Sequence, residues 1–247
     1  MADTTIDNVV PGEKWEFDAS VADCFADMLS RSIPQYDIMR ETSANLAADI
    51  INQNNQYRDF NVLDIGCSDG LMIQTMLNKL KGNKGRILGV DISEPMLAKA
   101  EDRFKLNNGV SSIAVAIQNC DLRYAFPKNN YDVITSILSI QFIPIEYRQT
   151  ILQNIYDNLV PGGAFIFVEK VLGNTAELNK LFVKEYYDLK KKNGYTEEQI
   201  ERKRLSLEGV LVPVTSDWNK SLLQQAGFRQ IDDFWRYMNF VGYIAIK

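Results

Sequence analysis

Apolar residues in this chain fall in two alternating rhythms: short apolar runs ended by glycine or a polar turn, and longer segments with apolar side chains three and four positions apart. In Asn61-Val-Leu-Asp-Ile-Gly-Cys-Ser-Asp-Gly70, the residues Val62, Leu63 and Ile65 predict a buried strand, Gly66 and Gly70 bracket a tight loop, and Leu71 to Leu80 predicts a helix. A second strand follows at Arg86-Ile-Leu-Gly-Val-Asp91, with a helix start at Ser93-Glu-Pro-Met96 and an amphipathic helix from Met96 to Leu106. Ile113 to Ile117 predicts a third strand ending at Asn119-Cys-Asp-Leu122, and Tyr131 to Ser136 a fourth. Glu146 to Leu159 reads as a helix closed by Val160-Pro-Gly-Gly163, a turn that returns the chain to a fifth strand, Ala164 to Val168.

Ahead of these units, residues 1 to 14 are polar and read as loose, and Trp15-Glu-Phe-Asp18 leads into a helix from Ser20 to Ser30 with Ala22, Phe25, Ala26 and Leu29 on one face. Pro34 ends it, and a second helix from Asp37 to Asn52 carries Ile38, Leu46, Ile50 and Ile51. After the fifth strand the alternation breaks. Asn174 to Gly209 holds two helical patterns, Thr175 to Lys192 and Thr196 to Glu208, separated by Asn193-Gly-Tyr195, and reads as a lid or a homodimer face. A helix from Ser216 to Ala226 and strands Gln230 to Trp235 and Phe240 to Ile246, a closing antiparallel hairpin, complete the chain. The pattern predicts an α/β fold: a doubly wound, mainly parallel seven-stranded Rossmann-like sheet with that hairpin and the helical insertion. It forms one domain over 1–247, with an N-terminal helical cap at 15–54 and the insertion at 174–209.

With 247 residues and 46% hydrophobic content, one large core is within reach. A net charge of −5 and an isoelectric point near 5.0 argue against a generally basic nucleic-acid surface and favour a small-molecule substrate. Cys24, Cys67 and Cys120 are odd in number and lack CxxC spacing, so neither a disulfide framework nor a zinc site is indicated. The opening residues carry no signal-peptide pattern and no run reaches about 18 apolar residues, which predicts a cytoplasmic protein with no membrane association. The chain has no histidine, so a metal is not expected and a general base would have to be Asp, Glu, Lys or Tyr.

The loop at Gly66 lets a ligand lie against the backbone while amides opening the next helix face a negative group. Asp91, at the end of the second strand, is placed to accept both ribose hydroxyls of a nucleoside. A dinucleotide fingerprint needs glycines at its first, third and sixth positions, here Gly66, Ser68 and Leu71, which disfavours NAD. Asp121, after the third strand, is placed to accept from an adenine amino group.

With these residues in place, the chain resembles the class I S-adenosylmethionine (SAM)-dependent methyltransferases, and within them the carboxy-SAM synthase branch that serves wobble-uridine modification of tRNA. The resemblance runs from Trp15-Glu-Phe-Asp18 and Arg31-Ser-Ile-Pro-Gln-Tyr36 through Asp64-Ile-Gly-Cys-Ser68 and Gln141-Phe142 to Glu169-Lys170, Asn193-Gly-Tyr195 and Lys203-Arg204. It implies Tyr36 at the ligand's amino-acid end, Gly66, Cys67 and Ser68 at the methionine moiety, Asp91 and Ile92 at the ribose, and Asp121 and Leu122 at adenine. It implies further that Arg204 pairs with an extra carboxylate of carboxy-SAM, as a planar guanidinium does bidentately. At Ile137 the synthase pattern has a ligand-contacting asparagine, and Val210-Leu-Val-Pro213 and Tyr237 to Gly242 look more like general methyltransferase relatives.

The favoured expectation is therefore methyl transfer from SAM to a small-molecule acceptor, with Tyr36, Glu169 and Arg204 as catalytic residues and Tyr186 and Tyr187 as further bases. The alternatives are a carboxy-SAM synthase drawing its carboxyl group from prephenate, and a non-catalytic SAM-binding scaffold.

Overall fold

The computed structural model describes residues 5–54, 58–105 and 112–247. Helices α1 (Ala19–Ser32) and α2 (Tyr36–Asn54) precede the sheet. Strand β1 (Phe60–Ile65), α3 (Leu71–Lys79), β2 (Gly85–Asp91), α4 (Glu94–Phe104), β3 (Ile113–Asn119), β4 (Tyr131–Ile137), a 3-10 turn (Ile140–Phe142), α5 (Ile145–Asn158) and β5 (Leu159–Leu172) follow. Then come α6 (Ala176–Lys192), α7 (Glu197–Ser206), the two-residue β6 (Val214–Thr215), α8 (Ser216–Ala226), β7 (Gln230–Tyr237) and β8 (Phe240–Ile246). The predicted end of the fourth helix at Leu106 lies outside the described residues.

The strands lie in the order β3-β2-β1-β4-β5-β8-β7, with β6 beside β5; β1 to β5 are parallel and β8 runs antiparallel to both β5 and β7. This is the expected doubly wound sheet with seven strands on its main path. One face packs β1, β4 and β5 residues such as Leu63, Ile134 and Phe165 against Ile151, Ile155, Leu222 and Leu223 of α5 and α8. The other sets Val62, Val133 and Ile166 against Ala44, Ala47 and Ile51 of α2 and Ile73 and Met76 of α3. Strand alternation sends neighbours such as Val62 and Leu63 to opposite layers. No helix among the described residues is long and apolar enough to cross a membrane.

Four local expectations change. Ala26 is exposed, because α1 buries Val21, Ala22, Cys24, Phe25 and Met28 instead. Ile38 stands 59% exposed while α2 buries Met39, Ser43, Ala44, Ala47 and Ala48, small residues that let the helix approach the sheet closely. The Pro161-Gly-Gly163 turn is drawn into β5 as a bulge, the register shifting between Tyr131 opposite Leu159 and Val133 opposite Ala164. Finally, Asp7 in the supposedly loose N-terminal segment is 4% exposed and accepts from Tyr195 Oη at 2.5 Å.

On β5 and β8 three rings stack in line: Phe165 on Phe167 at 4.7 Å and Phe167 on Tyr243 at 4.6 Å. Phe167→Ala leaves a void at the sheet centre and should cost about 3–5 kcal/mol in urea denaturation, whereas Ile38→Ala on the exposed face of α2 should stay within about 0.5 kcal/mol.

Candidate functional site

A cavity of about 310 Å³ opens over the C-terminal ends of β1, β2 and β4. Its walls come from the loop after β1, the turn after β4, helices α1 and α2, and the insertion. At the loop, Gly66 has φ +65° and Gly70 φ +81°, and the non-glycine residues Ser68 and Leu138 also sit in the left-handed region. A Cβ on Gly66 would stand 1.9 Å from Ser139 Oγ, so glycine is required both by conformation and by space. Such strained backbone at one site is the kind a ligand pocket holds.

Asp91 fastens the loop to β2. Its Oδ2 accepts from the Ser68 amide at 2.9 Å, and its Oδ1 from the Ile92 and Ser93 amides at 2.7 and 2.9 Å. Burial raises this carboxyl above its ordinary range, against the pull of those amides. On β1, Asp64 is 1% exposed; Thr135 Oγ1 donates to its Oδ1 at 2.6 Å, while its Oδ2 has no partner. Burial, with the nearby Asp91 charge, pushes Asp64 up to about 7.

Most of the residues singled out in the sequence meet here: Tyr36, Gly66, Cys67, Ser68, Asp91, Ile92, Asp121, Leu122 and Ile137 all line the cavity. Tyr36 lies 4.9 Å below the Arg40 guanidinium, and burial pushes its hydroxyl up to about 12, which makes it a donor rather than a base at neutral pH. Burial also raises the Cys67 thiol. Asp121 is not free: Arg123 grips both its oxygens, Nε at 2.9 and 3.0 Å and Nη2 at 2.5 Å, and holds it below its usual range.

Two expected catalytic residues are not brought to the cavity. Glu169 follows the strand alternation to the side opposite Lys170, is 2% exposed, and accepts the amides of Ile140 and Gln141 near buried Arg148. Desolvation pushes it up to about 8. Arg204 lies on the outer face of α7, its side chain 39% exposed, held by Glu201 at 2.7 Å and Glu208 at 2.6 Å. The i,i+3 and i,i+4 spacing of those acids keeps the guanidinium on its own helix. Of the two insertion tyrosines, Tyr186 lines the cavity and Tyr187 does not.

Sequence reasoning missed Asp64, Arg40, Lys170, Lys190 and Lys203, all on the cavity wall. Asp64 carried a signal, an acid inside an apolar strand run. Lys190 carried a weaker one, four residues after Tyr186 on the same helix face. Lys203 sits in a run of charges that resembles a solvated surface. Among the described residues no group of three or more His, Cys, Asp or Glu side chains could hold a metal ion.

Residues 62–163 match the methyltransferase domain family. The chain is 39% identical over 232 residues to the carboxy-S-adenosyl-L-methionine synthase of Methylococcus capsulatus, a match covering 94% of this chain and 93% of that protein. It is 36% identical over 240 residues to the enzyme of the same name from Shewanella amazonensis, with 96% of each chain covered. Human N-acetylserotonin methyltransferase in complex with SAM shares the fold with a TM-score of 0.59 at 14% identity, over 93% of this chain and 55% of that one. The synthase relatives overturn the expectation of methyl transfer to a small-molecule acceptor, because their match extends past the shared nucleotide-binding core into the N-terminal helices and the insertion. This chain belongs to the carboxy-S-adenosyl-L-methionine synthase family of the class I SAM-dependent methyltransferases and is a SAM-dependent transferase.

Proposed function

We propose that the protein is a carboxy-SAM synthase that replaces one C–H bond of the SAM S-methyl group by a C–carboxylate bond, with prephenate as carboxyl donor. The observation that carries this reading is the 39% identity sustained over 94% of the chain with a protein named for that product. The reaction balances without a protein base: prephenate aromatises to phenylpyruvate as it loses CO2 and hydroxide, CO2 becomes the new carboxylate, and the methyl proton leaves with the hydroxide as water. That agrees with a cavity whose Tyr36 and Tyr186 are held protonated by burial.

The chain's own residues fit SAM. Gly66 leaves room for the methionine backbone, and the unpartnered Asp64 Oδ2 is positioned for an ammonium group at the same end. Asp91 and Ile92 would take the ribose, and Leu122 the adenine face, with Asp121 sharing its oxygens between Arg123 and the amino group. The cavity draws its walls from the helices of 15–54, the sheet and the segment 174–209, which supports reading the chain as one domain with a cap and an insertion.

Incubation of the protein with SAM and prephenate should yield carboxy-SAM and phenylpyruvate in equal amounts by mass spectrometry; SAM consumption that leaves only its demethylated product would refute the assignment. Asp91→Ala should weaken SAM binding by about 1–3 kcal/mol, read by calorimetry, and an unchanged affinity would remove Asp91 from the ribose. In the ligand-free protein Asp64 stays protonated up to about pH 7, whereas the unfolded chain ionises it near pH 4. Its contribution to stability is thus complete below about pH 4 and is lost as pH rises through about 7. Asp64→Asn should remove that loss, flattening the pH dependence of stability between about pH 4 and 7 by up to about 1.4 kcal/mol per pH unit relative to wild type, while weakening SAM binding at pH 8.

A further inference from the structure

Three lysines from three elements converge on one wall of the cavity: Lys170 from β5, Lys190 from α6 and Lys203 from α7. Lys190 is 5% exposed, and the Lys203 side chain 14%. Lys170 Nζ and Lys190 Nζ lie 4.9 and 5.5 Å from the ring centre of buried Tyr186; Lys190 Nζ is also 5.1 Å from the Tyr195 ring, and Lys203 Nζ is 4.5 Å from that of Trp15. Aromatic faces partly stabilise an ammonium but supply no hydrogen-bond acceptor in the ring plane's place. Among the described residues, the acid paired with any of the three is Asp7, whose Oδ2 is 3.8 Å from Lys203 and is already engaged by Tyr195. Lys170 and Lys190 have no oxygen partner among the described residues.

Lysines are almost never buried unless paired. Here three cations share one wall and, among the described residues, Asp7 is the acid paired with any of them, so the wall carries an excess positive charge that its ion pairs leave unneutralised. Desolvation lowers all three, Lys170 and Lys203 to about 8, and the neighbouring lysine charges help bring Lys190 to about 7. An anion on this wall would restore their charge and supply the missing acceptors. The lysines come from β5, α6 and α7, whereas the glycine loop and Asp91, assigned above to SAM, follow β1 and end β2, so the anion of this wall is taken to be a second ligand.

We propose that Lys170, Lys190 and Lys203 bind the carboxyl donor through its carboxylates, the two helices of the insertion carrying two of the three cations to it. This rests on the synthase reading above, which makes the donor a small dicarboxylate. The wall suits two carboxylates rather than one, since a second negative charge matches the net excess of two cations over Asp7.

The test uses full-length protein saturated with SAM and titrated with prephenate, alongside SAM titrations of each variant. Lys190→Met and Lys170→Met keep the side-chain length and remove the charge. Each should raise the Kd and the KM for prephenate about tenfold or more, leave the SAM affinity within about threefold, and leave the melting temperature equal or higher, since a desolvated cation has been removed. Lys190→Arg should recover part of the prephenate affinity. Variants that bind prephenate as tightly as wild type would overturn the lysine site while leaving the synthase reading intact. Parallel loss of SAM and prephenate affinity with a lowered melting temperature would overturn it in favour of a structural role. If wild type forms no carboxy-SAM yet binds prephenate in a lysine-dependent way, the synthase reading fails and the dicarboxylate site stands.

Discussion

The structure depends on a single topological constraint, the reversal of strand order beside β1. With β2 on one side of β1 and β4 on the other, the chain leaving β1 and the chain leaving β4 must depart on opposite faces of the sheet. No crossover helix then covers the ends of these two strands, and a crevice opens where backbone amides and strand-end acids converge. The loop that begins at Gly66 and the turn at Leu138 both use left-handed backbone to fit into it, and they touch through Gly66 and Ser139. Asp91 ties the loop to the neighbouring strand through the Ser68 amide.

A second layer fixes the roof. Arg148 is 1% exposed and donates to the carbonyls of Gln141, Ile143 and Val212, while Glu169 accepts the amides of Ile140 and Gln141 from beneath. Gln141 in turn accepts from the Lys170 amide at 2.7 Å. Glu169 is therefore placed to shape the turn that follows β4 and, through Gln141, the strand position from which Lys170 projects. Removing the Arg148 guanidinium would strip these buried carbonyls of their donor, a costly change in itself.

Closure of the cavity comes from the N-terminal segment and the insertion rather than from the sheet. Asp7 accepts from Tyr195, and Arg31 stacks 4.3 Å over the same ring, so the N-terminal segment, α1 and the insertion meet at one tyrosine. Trp15 donates its backbone amide to Ser206 at 2.9 Å and presents its ring to Lys203. The cavity thus has an acidic side, where Asp64 and Asp91 face the loop, and a cationic side, where the insertion lysines stand. Desolvation raises the acids and lowers the lysines, and both kinds of group regain their ordinary charge when an opposite charge enters.

The alternation of buried strands with amphipathic helices and the glycine loop with its strand-end acid were legible along the chain, because each depends on residues adjacent in sequence or one helical turn apart. So were the helix starts at Ser93, Thr175 and Thr196, whose side chains cap amides three positions on. The cationic wall and the fates of Glu169 and Arg204 were not. Whether Lys203 or Arg204 faces the cavity depends on how α7 is rotated against Trp15 and Asp7, and a run of charges carries no periodicity from which to read that rotation. Whether Glu169 or Lys170 reaches the cavity depends on which face of β5 meets the insertion, a choice made by packing between segments distant in sequence. Local pattern therefore determined the elements and the loop side of the cavity; burial and charge placed by tertiary contact decided the other side, because desolvation belongs to the folded surroundings and not to the residue.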